Sequence, residues 1–409
     1  MKIRVGITVP LLLEDVHNAR FLLPHFVTTN FKIPADALHS TWIESKTPMT
    51  SSNRTLLTHQ FGDSFSVSGV LPHLELSQPE TSIKLTRTDV SSWSKNPFDV
   101  NNFIFQQPVV SRVPSYLHRI VLVVDTSDGM EHAARDLQTA LRSIPSHIEV
   151  KLILANADEM NQITASGIEE ISLKLDSATF TGGADNIPAL LKAWDLAAEK
   201  TGQNVIVWVH GPQLMQLEPV EHLRQRWERR PYGPVLYSVR TSTGSDEVEK
   251  RLDGLNEVKT VARMDHLHKD LESLFKRLTG QTETLELVRI SKKIEENAYP
   301  GWADETSDHL ARLWANDEVA RILSARDEKL NEEAITLASR YQLVTPVTGA
   351  VVLETAQQYS ASGLTPVDQG TVPTIPEPEI VVLLIVVALF LAWLAHRKYR
   401  MFGGSGCTV

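Results

Sequence analysis

The chain has 409 residues, 42% of them hydrophobic and 22% charged, with a formal net charge of -10 and a single cysteine. That length can bury the core of one or two globular domains, and an acidic balance without a basic stripe argues against a nucleic-acid partner. One cysteine excludes an intrachain disulfide, a cysteine zinc site and an iron–sulfur cluster; Cys407, third from the end, does not match the prenylation box and reads as a free thiol.

At the amino end, residues 1–14 read as a strand and not as a signal peptide, because no seven-residue apolar stretch and no small-residue cleavage site is present. Residues 1–115 carry short β-rich runs at 31–34, 65–70 and 82–86, an irregular β region. From His118 the pattern changes: 119–124 is a continuous apolar strand, 133–144 an amphipathic helix, 149–155 a second strand. A helix at 187–198, a strand at 204–209, a helix at 219–229, a strand at 235–239, a helix at 246–255 and an edge strand at 258–261 follow. Strands apolar on both faces that alternate with helices predict a doubly wound α/β domain over 116–264, built on a mainly parallel sheet covered on both sides. Residues 265–354 then read as a helical and strand module, with helices opening at Leu310 and over 327–340 and a strand over 341–354. Within it Leu313, Trp314, Val351, Val352 and Leu353 are expected to pack as core.

The carboxyl end is membrane-like. Residues 355–379 form a Pro/Ser/Gly linker expected to be extended and mobile. From Ile380 to Ala395 every residue is apolar, Pro376 and Pro378 stop the helix from extending backwards, and His396-Arg397-Lys398-Tyr399-Arg400 closes it with positive charge. A helix over that run is roughly 24 Å long, short of the ~30 Å hydrocarbon core, but Arg397 and Lys398 can snorkel and Trp393 can sit at the interface. A single transmembrane helix over 380–396 with a basic tail over 397–409 is the expectation; the competing reading is a buried core helix. The basic cluster places the tail in the cytoplasm and the domain outside, whereas the lack of an export signal places the domain inside. One resolution is that the chain is the carboxyl-terminal part of a longer protein.

In doubly wound sheets ligands bind beyond the carboxyl ends of the strands. After the first strand stands Asp125-Thr126-Ser127-Asp128-Gly129, after the second strand and a loop Thr181-Gly182-Gly183-Ala184-Asp185, and after the next strand His210-Gly211-Pro212. Carboxylate and hydroxyl oxygens are what a hard cation such as magnesium requires. The first two segments resemble the von Willebrand factor type A domain, whose Asp-x-Ser-x-Ser and Gly-Gly-Thr landmarks hold a divalent cation. The resemblance implies Asp125, Ser127 and Asp185 as the metal candidates. It also marks the losses: Gly129 stands for the second serine, Ala184 for the ligand threonine, and His210-Gly211-Pro212 carries no carboxylate. The expectation is therefore the fold without its usual metal, and no cofactor. A rearranged site of Asp128, Asp185 and His210 would suit zinc or nickel better than magnesium. Asp125, Ser127 and His210 also contain the residue types of a hydrolytic triad, but Ser127 lacks the Gly-x-Ser-x-Gly elbow.

Leu313-Trp314-Ala315 and Leu343-Val344-Thr345-Pro346-Val347-Thr348 resemble the carboxyl-terminal module of inter-alpha-trypsin inhibitor heavy chains and their bacterial relatives. Val372-Pro373-Thr374-Ile375-Pro376-Glu377-Pro378-Glu379, the apolar run and the basic cluster resemble the PEP-CTERM sorting signal. The combination resembles PEP-CTERM membrane proteins that pair a vault protein inter-alpha-trypsin region with a type A domain. It implies an envelope location in a bacterium and processing by an exosortase. The resulting expectation is a membrane-anchored, non-catalytic interaction or adhesion-type protein whose partner is a protein or an envelope polymer. The alternatives are a hydrolase-like enzyme using Asp125, Ser127 and His210, or a structural fragment of a larger membrane assembly.

Overall fold

The computed structural model describes residues 11–25, 32–34, 36–78, 81–87, 91–111, 117–155, 164–199, 203–214, 217–230, 233–293, 301, 303–325, 330–349, 356–361, 389–391 and 393. Thr8–Val351 forms one compact unit. Among the described residues it opens with nine strands: β1 (Leu12–Leu13), β2 (Asn18–Phe21), β3 (Leu38–Ser45), β4 (Met49–Ser51), β5 (Leu57–Phe61), β6 (Ser64–Pro72), β7 (Ile83–Thr86), β8 (Ser92–Lys95) and β9 (Asn102–Ser111). They lie in three sheets, ordered β1-β2-β7-β4, β3-β6-β5, and a third begun by β8 and β9. Met49, Val67, Leu71 and Ile83 form the shared core of the first two. The expected run at 65–70 falls in β6 and that at 82–86 ends in β7, but 32–34 form no strand. Pro34 has no N–H to give a ladder.

β10 (Leu117–Asp125) begins the α/β domain. Its residues 120–125 are all buried, since Ile120, Leu122 and Val124 face one helical layer while Val121 and Val123 face the other. The remaining elements follow in order: α1 (Glu131–Leu141), β11 (Glu149–Ala155), β12 (Thr164–Ser166), α2 (Ile168–Asp176), α3 (Ile187–Ala198), β13 (Gln203–His210), α4 (Val220–Arg229), β14 (Val235–Arg240), α5 (Glu247–Leu252), β15 (Val258–Thr260) and α6 (Leu267–Leu278). The sheet order is β12-β11-β10-β13-β14-β15, all parallel except the antiparallel edge β12. Helices α1, α2 and α6 cover one face and α3, α4 and α5 the other. Strand order reverses between β10 and β13, so the crevice between their carboxyl ends is the topological switch point where such sheets bind ligands.

β16 (Thr284–Lys293) returns from α6 and pairs antiparallel with β9 over ten residues, from Thr284 opposite Ser111 to Lys293 opposite Asn102. The doubly wound domain is thus an excursion between two neighbouring strands, one leading in and one leading out. β17 (Asp304–Glu305) completes that sheet beside β8. α7 (His309–Ser324) lays Leu310, Ala311 and Ala315 against Ile104 of β9, with Trp314 half-buried against Tyr341, and α8 (Asn331–Arg340) packs on α7. Arg20 ties the first sheet to the loop before α6: its Nη1 donates to Ser82 Oγ at 3.2 Å and to the Met264 carbonyl at 2.5 Å.

Two expectations for the carboxyl-terminal stretch are corrected. Residues 341–349 form turns and not a strand: Gln342 takes φ 56°, Leu343 N–H closes the end of α8 on the Ala338 carbonyl, and Thr345 and Thr348 bond to each other. The linker begins with helix, α9 (Ala356–Ala361), and not with extended chain. Val351, Val352, Leu353, Cys407 and most of the apolar run at 380–396 lie outside the described residues; within that run 389–391 and 393 are helical. Among the described residues, no helix is long and apolar enough to cross a membrane.

Candidate functional site

At the switch point Asp125 ends β10 with its side chain buried, 1% exposed. Both of its oxygens are taken by donors of the protein itself. Oδ1 accepts from Ser127 N–H at 2.9 Å and from Ser127 Oγ at 2.6 Å; Oδ2 accepts from Gln213 Nε2 at 3.1 Å and from Gly211 N–H at 3.3 Å. A buried carboxylate is tolerated only when its lone pairs are matched, and here four donors match them. Ser127 Oγ in turn accepts from Ala184 N–H at 3.1 Å, which docks the Gly182-Gly183-Ala184 loop on the β10 turn. Asp128 N–H to Gly182 O at 2.9 Å and Thr181 N–H to Thr126 O at 3.0 Å complete that docking, and Gly182 at φ 63° supplies the left-handed corner.

The same loop is held from beneath. Asn186, fully buried, donates Nδ2 to the Ala184 carbonyl at 2.9 Å and accepts from Trp208 Nε1 at 2.8 Å. Trp208 and His210 project from one face of β13, two residues apart, and their rings stack at 3.4 Å between centroids and 9° between planes. His210 Nδ1 donates to the Gly211 carbonyl at 2.8 Å, and Gly211 N–H returns to Asp125. Asp125, Ser127, Ala184, Asn186, Trp208, His210 and Gly211 therefore form a closed circuit around the switch point.

The sequence-predicted residues divide accordingly. Asp125, Ser127 and the Gly-Gly-Ala loop come together. Asp185 does not aim at them: Oδ1 accepts from Ile187 N–H at 3.0 Å at the start of α3, and Oδ2 accepts from Leu217 and Glu218 N–H at 2.8 and 2.7 Å. Asp128 is exposed, whereas His210 is wholly buried and turned to Ser238 Oγ, 2.7 Å from Nε2. The rearranged cation site is thus not assembled, and among the described residues no group of three His, Cys, Asp or Glu side chains is placed to hold a metal. Nor is the triad: the partner of Ser127 Oγ is Asp125 directly, and both His210 nitrogens are engaged elsewhere. Gln213 was not singled out by its sequence. A glutamine three residues past a strand carries no motif, and its role rests on donating an amide hydrogen to Asp125 where a metal site would bring positive charge.

Beneath the rim lies a second polar cluster. Ser238 also bonds Glu249, which pairs with Arg240, and Asp246 Oδ2 lies 3.4 Å from His210 Nδ1 while Oδ1 caps α5 through Glu249 N–H at 2.8 Å. Burial pushes the His210 pKa down to about 3 and the Asp246 pKa up to about 6, the nearby Arg240 opposing the latter. The two act in opposite senses. The folded protein holds an extra proton on Asp246 between its ordinary pKa of 3.8 and about 6, so that contribution to stability falls as pH rises through this window. The unfolded chain holds the extra proton on His210 between about 3 and 6.5, so that contribution rises with pH. Asp246→Asn, which keeps a good helix cap, removes the first and leaves the second. Urea denaturation from pH 4 to 7 should show the variant gaining stability with pH more steeply than the parent, and about 1–3 kcal/mol more stable at pH 7.

No family model and no curated protein matches the sequence. Solved structures similar to it include the pilus adhesin SpaC from Lactobacillus rhamnosus GG, at 13% identity and TM-score 0.33 over 45% of this chain and 33% of that one. A von Willebrand factor type A protein from Catenulispora acidiphila matches at 9% identity and TM-score 0.33 over 46% of this chain and 50% of that one. A manganese-loaded Plasmodium vivax TRAP protein matches at 11% identity and TM-score 0.30 over 48% and 84%. The doubly wound fold stands on its own strand order. At these scores the likenesses carry no argument about the rim, and the chain spans half or less of the first two structures' lengths.

Proposed function

We propose that the protein is a membrane-tethered, non-catalytic interaction protein of adhesion type, which presents the doubly wound domain to a protein or envelope polymer and uses no cation at the rim; that domain, expected to end at 264, runs through α6 to Leu278 because α6 covers one face of the sheet. The observation that carries this reading is the saturation of Asp125 by four protein donors, with Gln213 Nε2 among them. A metal would have to displace those donors before it gained an oxygen ligand. The burial of His210 and its distance from any role at Ser127 support a non-catalytic reading over the hydrolase-like one. An interaction role is further supported by the outer face of β3-β6-β5, where Trp42 and Leu57 flank Ser68 and, with Val70, stand exposed.

The tether is the apolar run at 380–396, joined to the domain through the module that follows α6 and the linker at 355–379. The basic cluster at 397–400 favours a cytoplasmic tail and an extracytoplasmic domain, and the Pro-Glu-Pro tail favours handling by an exosortase. Extraction of cell membranes with alkaline carbonate tests the tether: the full chain should stay in the pellet, and a chain ending at residue 379 should be released. Full-length chain in the supernatant would remove the tether from the account.

A further inference from the structure

Away from the rim, two histidines meet at one end of the β3-β6 hairpin pair. His39 lies opposite Leu71 in the antiparallel register, and the His73 N–H bonds the Ala37 carbonyl at 2.8 Å just beyond the last ladder pair, Leu38 with Pro72. Directly opposite residues share a face, so His39 and Leu71 lie on the side of the sheet on which Leu71 is wholly buried, and His73 opens the 3-10 turn at 73–75 that follows β6. Both imidazoles are half-buried, His39 Nε2 and His73 Nδ1 are 3.2 Å apart, and the ring centroids are 5.2 Å apart with the planes inclined at 41°.

We infer that His39 and His73 form a bis-imidazole site for a divalent transition ion of the zinc class. Two imidazole nitrogens bound to one tetrahedral ion at ~2.0–2.1 Å lie about 3.3 Å apart, close to the 3.2 Å between His39 Nε2 and His73 Nδ1. The β3-β6 ladder holds His39 and the bond from His73 N–H to the Ala37 carbonyl holds His73, so little ordering is left for the ion to impose. No third His, Cys, Asp or Glu joins them among the described residues, so water or a ligand from a partner fills the other positions. Imidazole suits zinc, copper and nickel and not magnesium or calcium, which separates this site chemically from the carboxylate rim.

A neutral N–H···N hydrogen bond has the same nitrogen separation, and zinc binding by the full chain in detergent distinguishes the two. With 14 histidines in the chain, the readout is the difference between parent and variants in competition with a chromophoric zinc chelator. The parent should hold one zinc equivalent at least tenfold more tightly than His39→Gln or His73→Gln, and Asp125→Asn should keep it. Equal zinc stoichiometry and affinity in the parent and both histidine variants would overturn the inference. Should the variants fold poorly, one equivalent of copper(II) added to the parent decides instead: hyperfine coupling to two imidazole nitrogens supports the site, and its absence overturns it.

Discussion

Asp125→Ala is expected to cost about 3–5 kcal/mol of stability. The carboxylate is what Ser127 N–H, Ser127 Oγ, Gly211 N–H and Gln213 Nε2 all point to, and deleting it leaves four donors without their acceptor around a buried position. Gly211 and Gln213 belong to the chain after β13 and Ser127 to the chain after β10, so the loss is felt across the switch point. Asp125→Asn should cost less than Asp125→Ala. It keeps one acceptor oxygen but turns an amide NH2 towards donors, at a cost of about 1–3 kcal/mol. Urea denaturation followed by tryptophan fluorescence measures both. In an open, cation-ready site the same aspartate would be a source of repulsion, and its removal would leave stability unchanged or raised.

Trp208→Ala should cost a similar amount, about 3–5 kcal/mol, for different reasons. The indole is wholly buried between β13 and the helical layer of α3, α4 and α5, so truncation opens a cavity there. It also strips Asn186 Oδ1 of its donor and uncovers one face of His210. Trp208→Phe separates the terms, since it keeps most of the ring contact but not the N–H, and should cost about 1–2 kcal/mol. Hydrogen exchange should report the consequence locally: in Trp208→Ala the amide of Ala184, in a loop whose support through Asn186 has lost the indole beneath it, should exchange faster than in the parent.

The doubly wound domain was legible because its strands are apolar on both faces. Arg119 to Val124 and Asn204 to Val209 admit no other placement than the middle of a covered sheet, and the helices between them follow. Helices α2 and α6 were missed although their spacing is helical: Ile168, Ile171 and Leu175 in one, Leu267, Leu271, Leu274 and Leu278 in the other. β16 could not be placed so simply. Its partner β9 ends more than 170 residues earlier, at Ser111 against Thr284, and alternation in a single strand says nothing of what it pairs with. The turn at 341–349 read as strand because Val344, Thr345, Val347 and Thr348 favour β structure; Pro346 and the hydroxyl bonds between the two threonines prevailed. At the rim, the motif positions identified Asp125, Ser127 and the loop that meets them. The side chains that surround them were not legible, because Gln213 and the Asn186–Trp208–His210 support act through geometry that only the folded strand ends create.

Calorimetric titration of the full chain with magnesium, calcium and manganese addresses the sealed rim most directly. The closed hydrogen-bond circuit predicts no saturable heat from any of the three ions, and the same baseline for the parent and for Asp125→Asn. A saturable heat in the parent that disappears in Asp125→Asn would show that the four donors yield to a cation, and would contradict a rim that is complete without one.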